Sequence, residues 1–164
     1  MTKKIALLGA TGSIGRSTLD VVRQYPDRYE IHSMTAGSRV DELVRLCAEW
    51  QPKIAVIADD SRYAELVEKL SVAGLSHIRA MAGSSALCEI VQLPEVDVTV
   101  LAIVGAAGLA PTFAAAKAGK RLLLANKESV VCGGELLMRA VKDCNAELLP
   151  VDSEHNAIYQ CLAS

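Results

Sequence analysis

Short apolar runs alternate along the chain with segments whose apolar residues recur every three or four positions. The runs KIALLG (4–9), YEIHSMTAG (29–37), IAVIA (54–58), 78–82, VDVTVLAIV (96–104), RLLLAN (121–126) and AELLPVD (146–152) predict strands. Helices are expected over 15–25, 40–50, 61–73, 84–92, 109–119 and 134–144, with another beginning at Ser153. In the first helix Ile14, Leu19 and Val22 are expected on the inner side, and Pro26 stands just past its end. In the second, Leu43, Leu46, Cys47 and Trp50 fall at helical spacing. The stretch 96–104 reads as a fully buried strand. Strand and helix alternate throughout, which predicts an α/β protein with an open, doubly wound, mostly parallel sheet and helices on both faces.

Composition narrows the picture. At 164 residues there is room for one domain with a core. Hydrophobic residues make up 51% and aromatics only 4%, so the core is aliphatic, as a parallel sheet buried on both sides requires. The net charge is −2 with signs interspersed, which argues against nucleic acid or an anionic membrane as partner. The longest apolar stretch, Val96–Leu109, is too short to span a bilayer. Met1-Thr2-Lys3-Lys4 passes directly into a strand, so no leader and a cytoplasmic location are expected. The five cysteines show no CxxC spacing and read as reduced, mostly buried thiols. Cys132 is a weak candidate nucleophile, with no histidine near it in sequence.

Candidate chemistry concentrates at strand ends. Gly9, Gly12 and Gly15 form G-x-x-G-x-x-G between the first strand and first helix. The first glycine permits a tight turn, the second lets backbone approach a diphosphate, and the third lets helix pack on strand. The helix N-terminus offers unpaired N–H groups to the phosphates, and Thr11 and Ser13 can add hydroxyl donors. A plain glycine-rich turn is the bland alternative. A nucleotide-hydrolase P-loop is another, but Arg16 stands where that loop needs Lys. The second strand ends in Gly37-Ser38-Arg39 without an acid, which suits a ribose 2′-phosphate and favours NADP over NAD. Taken together these features predict a Rossmann-like dinucleotide fold.

Three later strand ends carry further polarity. AIVGAAGL (102–109) is small enough for backbone to approach a nicotinamide or ribose. In LLLANKES (122–129), Asn126 and Glu128 are candidates for the cofactor ribose and Lys127 for a substrate anion, against a solvated helix cap at Ser129. In LLPVDSEHN (148–156), Asp152 and Glu154 converge after a buried strand, which suits Mg²⁺ or Mn²⁺ with a third ligand from elsewhere; Ser153 between them can bind substrate. His155 reads as structural rather than ligating.

GATGSIGRSTLDVV, AIVGAAGL, LLLANKES and LLPVDSEHNAIYQCL, taken in order, resemble the 1-deoxy-D-xylulose 5-phosphate reductoisomerase family over essentially the whole chain. The resemblance implies NADPH-dependent, metal-dependent conversion of 1-deoxy-D-xylulose 5-phosphate to 2-C-methyl-D-erythritol 4-phosphate, in non-mevalonate isoprenoid biosynthesis. It implies that Thr11, Gly12, Ser13 and Ile14 bind NADPH at the diphosphate, and that Gly37, Ser38 and Arg39 surround its 2′-phosphate. Asn126 and Glu128 would also bind NADPH, Lys127 and Ser153 the substrate, and Asp152 and Glu154 the metal; Lys127, Asp152 and Glu154 are the expected catalytic residues. Where family members often carry Lys-Asn, this chain has Ser38-Arg39. Members are considerably longer, so residues 1–150 are expected to form the NADPH domain and 151–164 the start of a catalytic region. The isolated chain is then expected to be inactive, and the full-length enzyme a homodimer. Another NADP-dependent oxidoreductase of the same fold, or a non-catalytic dinucleotide-binding module, are the competing readings.

Overall fold

The computed structural model describes residues 2–125, 127–151, 157–158 and 160–161, without the side chain of Lys127. Among these, seven strands form one sheet: β1 (Lys3–Leu8), β2 (Tyr29–Ala36), β3 (Ile54–Ile57), β4 (Arg79–Ala82), β5 (Val98–Leu101), β6 (Arg121–Leu124) and β7 (Glu147–Pro150). The spatial order is 4-3-2-1-5-6-7, and every pairing is parallel. The helices are α1 (Ser13–Gln24), α2 (Val40–Trp50), α3 (Tyr63–Val72), α4 (Gly83–Gln92), α5 (Leu109–Lys117) and α6 (Lys127–Asp143).

The two faces of the sheet carry separate cores. Alternate residues of a strand point to opposite sides. Ile5 and Leu7 of β1 therefore pack with Met34, Leu43, Cys47 and Leu66, beneath α1, α2 and α3. Ala6 and Leu8 pack with Ile90, Ala115, Leu122 and Leu137, beneath α4, α5 and α6. This double burial is why β3 reads as an unbroken apolar run and β5 as an apolar run interrupted only by the buried Thr99. Among the described residues no helix is long and apolar enough to cross a membrane.

Several expectations need correction. Helix α1 begins at Ser13, so its inner stripe is Gly15, Leu19 and Val22, and Ile14 is 36% exposed. The expected strand 96–104 shrinks to β5, which spans only the residues paired with β1 and β6 and ends where those two strands end. The 3₁₀ turn over Ala106–Gly108 follows Gly105, whose φ is 75°. The helix expected over 134–144 is the second part of α6, up to Asp143. A further helical part, absent from the expectation, precedes it from Lys127 to a kink at the non-helical Gly134 (φ 45°, ψ −134°). Ser129 is accordingly buried at 1% exposure rather than a solvated cap. None of the five cysteines is in a disulfide, but only Cys47 is fully buried, and burial pushes its thiol up to about 12. Cys132 is exposed. Ser153, where a further helix is expected, lies outside the described residues.

His32 on β2 is buried, and its Nδ1 has no hydrogen-bond partner among the described residues. Burial holds its pKa below the ordinary 6.5; Lys53 pushes the same way, and Glu95 opposes. Below about pH 6.5 the unfolded chain takes up a proton that the folded chain refuses, so stability falls as pH drops. Glu42 and Glu65 have lowered carboxyl pKa values, so their contribution is lost only at more acid pH. Urea unfolding at pH 7.5 and 5.5 is expected to show a loss on acidification that is clearly smaller in His32→Gln. An unchanged pH dependence in that variant would contradict the account.

Candidate functional site

In this sheet the chain leaves β1 toward β2 on one side and leaves β5 toward β6 on the other. The carboxyl ends of β1 and β5 therefore flank the crevice where ligands bind in such folds. The glycine turn fills one wall of it. Gly9 has φ 85°, and a Cβ there would lie 2.5 Å from the Ala102 carbonyl oxygen. The turn is fixed to β2 from below: the Gly9 N–H donates to Thr35 Oγ1 (2.9 Å) and the Ala10 N–H to the Thr35 carbonyl (2.8 Å). The Gly12 N–H closes onto the Gly9 carbonyl at 3.0 Å. A Cβ on Gly15 would stand 2.4 Å from the Gly9 oxygen and 2.6 Å from that of Ala10, so α1 can sit this close only with glycine there.

Gly12 is different. Its backbone is ordinary and extended (φ −84°, ψ 175°), and a Cβ would meet only the Gly9 oxygen, at 3.4 Å. Gly37, at the end of β2, is freer still: a Cβ would meet nothing among the described residues within 4 Å. Neither position needs glycine for packing. Both line a cleft of about 180 Å³, shared with Gly9 and Thr11, with Thr35, Ala36 and Arg39, and with Ala102–Val104 after β5. Gly12 caps α1 without a side-chain hydrogen bond, and the first turn carries no acid. The N–H groups of Ser13, Ile14 and Gly15 thus open the helix at its positive end, with no acidic side chain in that turn to compete for an anion.

Charge gathers at the rim near β2. Arg39 Nη1 donates to the Thr11 carbonyl and to Glu42 Oε2, both at 3.2 Å, tying the start of α2 to the glycine turn. Arg16 Nη2 donates to Glu42 Oε1 at 2.6 Å. Hydrogen bonds from Arg16 first, and from Arg39, hold the Glu42 carboxyl below the usual range. Arg62 Nη1 donates to the Ser38 carbonyl.

The structure therefore brings Thr11, Gly12, Gly37 and Arg39 together around one cleft, with Ser13, Ile14 and Ser38 exposed beside it. Glu128 stands apart, half-buried in the first turn of α6. It follows β6, two strands from β1, roughly 10 Å away along the same edge. Lys127 opens α6. Asn126, Asp152, Ser153, Glu154 and His155 lie outside the described residues. Among the described residues no group of three His, Cys, Asp or Glu side chains can hold a metal ion. Sequence reasoning missed Thr35, which anchors the turn, and Glu42, whose signal is its place three residues after Arg39 on a helix.

A larger hollow of about 520 Å³ lies at the opposite, amino-terminal edge of the sheet, beside Trp50 and Glu49. It gathers the carboxyl ends of α1 and α2, whose dipoles repel anions. Arg23 already occupies it, 5.2 Å above the Trp50 ring and paired with Glu49. Size alone does not make it the better site for a phosphorylated ligand.

The sequence profile of the family described as 1-deoxy-D-xylulose 5-phosphate reductoisomerase matches residues 5–134. A relative of that name from Acinetobacter baylyi is 52% identical over 164 residues, covering 100% of this chain and 41% of its own length. The chain thus spans about two fifths of the curated relatives it matches. A crystal structure of DOX-P reductoisomerase in complex with NADPH, fosmidomycin and magnesium superposes with TM-score 0.93 at 52% identity, covering 97% of this chain and 38% of that one. The enzyme of the same name from Zymomonas mobilis, in complex with NADPH, gives TM-score 0.91 at 46% identity, covering 98% of this chain and 41% of that one.

The glycine geometry separates fold from site. Gly15→Ala is expected to lower unfolding free energy by more than about 1 kcal/mol, because the backbone clash outweighs the helix propensity gained. Gly12→Ala and Gly37→Ala are expected to stay within about 1 kcal/mol of the parent. Chemical denaturation of the three variants checks the ordering; equal losses would contradict it.

Proposed function

Because this chain belongs to the 1-deoxy-D-xylulose 5-phosphate reductoisomerase family, we propose that it forms the NADPH-binding portion of an enzyme that rearranges and reduces 1-deoxy-D-xylulose 5-phosphate to 2-C-methyl-D-erythritol 4-phosphate. The observation that carries the cofactor reading is the pair Gly12 and Gly37. Packing requires glycine at neither, and both flank a cleft beside an uncapped helix N-terminus and an arginine. Two main-chain surfaces without side chains, next to positive charge, suit a ligand with phosphate groups. The cleft's 180 Å³ is less than a whole dinucleotide needs, so it is one part of the cofactor site, and the glycine turn and Arg39 on its walls suit the phosphate-bearing part.

In this reading Thr11, Gly12, Ser13 and Ile14 hold the diphosphate, and Gly37, Ser38 and Arg39 the 2′-phosphate. Glu128, following β6 along the same sheet edge, and Asn126, as the family resemblance implies, bind the cofactor nearer its reactive end. Lys127 and Ser153 meet the phosphorylated substrate. Asp152 and Glu154 hold Mg²⁺ or Mn²⁺, in keeping with the magnesium of the related crystal structures. Lys127, Asp152 and Glu154 are the catalytic group, with residues 1–150 as cofactor domain and 151–164 opening the catalytic region. NADPH, when bound, supplies hydride, and a divalent cation supplies charge stabilisation to substrate oxygens. The chain's own residues orient both partners and supply fixed dipoles that need no rearrangement during reaction. The full-length enzyme is proposed to act as a cytoplasmic homodimer.

Calorimetric titration of this chain is expected to give binding with NADPH and much weaker binding with NADH. Gly12→Ala is expected to weaken NADPH by more than about tenfold, since a methyl group there displaces the diphosphate. Heat with neither cofactor, or a preference for NADH, would refute the reading. In a chain of the relatives' full length, Asp152→Asn is expected to abolish turnover while NADPH affinity stays nearly unchanged. Loss of both together would indicate a folding role instead.

A further inference from the structure

Resting on the reading of this cleft as an NADPH site, we propose that Arg16 and Glu42 complete its 2′-phosphate seat: Glu42 yokes Arg16 to Arg39, and the two guanidinium groups together select the 2′-phosphorylated cofactor. The yoke is visible in the hydrogen bonds. One carboxylate receives Arg16 Nη2 on Oε1 at 2.6 Å and Arg39 Nη1 on Oε2 at 3.2 Å. The two guanidinium groups are therefore held on the two oxygens of a single carboxylate, although one comes from α1 and the other from the cap of α2.

The exposure pattern gives the arrangement a direction. The Glu42 side chain is 19% exposed, whereas those of Arg16 and Arg39 are 60% and 62% exposed. The carboxylate lies inward and the guanidinium groups outward. Each guanidinium has five N–H donors, and among the described residues only one nitrogen of each is engaged. Both forks thus keep donors for an outside anion. Arg39 borders the cleft, and its link to the Thr11 carbonyl ties that anion position to the glycine turn.

Charge arithmetic favours the same conclusion. Two arginines and one glutamate give this three-membered bridge itself a single net positive charge. A ribose 2′-hydroxyl gives that charge nothing to pair with, whereas a dianionic phosphate accepts from both forks. Without Glu42 the arginines repel each other and each long side chain must be ordered separately, at an entropic cost.

The test is calorimetry of this chain and its variants with NADPH and NADH, repeated with adenosine 2′,5′-bisphosphate and adenosine 5′-monophosphate. Arg16→Met is expected to weaken NADPH and the bisphosphate about tenfold while NADH and the monophosphate change less than about twofold, the scale of one lost charge-assisted hydrogen bond. Glu42→Gln is expected to weaken NADPH about threefold to fivefold, and the double variant to be no worse than Arg16→Met, because both act through one cluster. A change in the ratio of the two cofactors distinguishes selection from a general structural loss, which would move both alike. The proposal is overturned if Arg16→Met leaves the ratio unchanged, or if Glu42→Gln tightens NADPH, which would make Glu42 a resident competitor for the arginines. A parent chain that binds no NADPH fails the cofactor reading itself and takes this proposal with it.

Discussion

The structure depends on one close backbone approach, where the exit of β1 meets the exit of β5 and the first turn of α1. At Gly9 and Gly15 there is no room for a Cβ, because carbonyl oxygens stand within 2.5 Å of where it would be. This contact sets the angle at which α1 leaves the sheet. The Thr35 hydroxyl and carbonyl fix the same turn from the β2 side. Once the helix starts there, its unpaired N–H groups lie beside the crevice between strands that run in opposite topological directions. The site follows from this packing constraint, since the chain cannot satisfy it without also presenting a positive helix end.

The two edges of the sheet then acquire opposite character. All strands are parallel, so helix N-termini gather at the carboxyl edge and helix C-termini at the other. At the carboxyl edge the chain adds arginines and leaves the first turn of α1 free of acids. At the amino edge it adds Glu49 and fills the space with Arg23 against Trp50. The same dipoles recommend an anion at one hollow and a cation at the other, and this decides between them more firmly than their volumes do.

Much of this was legible in the sequence because it rests on local rules. Short apolar runs alternating with segments of three-to-four-residue period specify β1, α2 and their neighbours, and the spacing of Gly9, Gly12 and Gly15 locates the turn. What sequence could not supply is tertiary. The apolar run 96–104 looks continuous, but only Val98–Leu101 pair with β1 and β6, and the strand ends with them. The stretch Asn126–Ser129 reads as a polar strand end with a solvated cap, yet a helical part begins at Lys127, and Ser129 goes inward. Ile14 looks inward by spacing, but the helix begins two residues sooner and turns it out. Arg16 reads in sequence only as the residue that spoils a P-loop, since its partner Glu42 lies 26 positions away on another helix.

The central claim is that the amides opening α1, together with Gly37 at the end of β2, receive the phosphates of NADPH. It is tested most directly by following backbone amide resonances of the ¹⁵N-labelled chain as NADPH is added. The account predicts that the largest shifts fall at Ser13, Ile14, Gly15 and Gly37, with little change in the Trp50 indole at the opposite edge. Stationary resonances at those four positions while the Trp50 indole moves would contradict it.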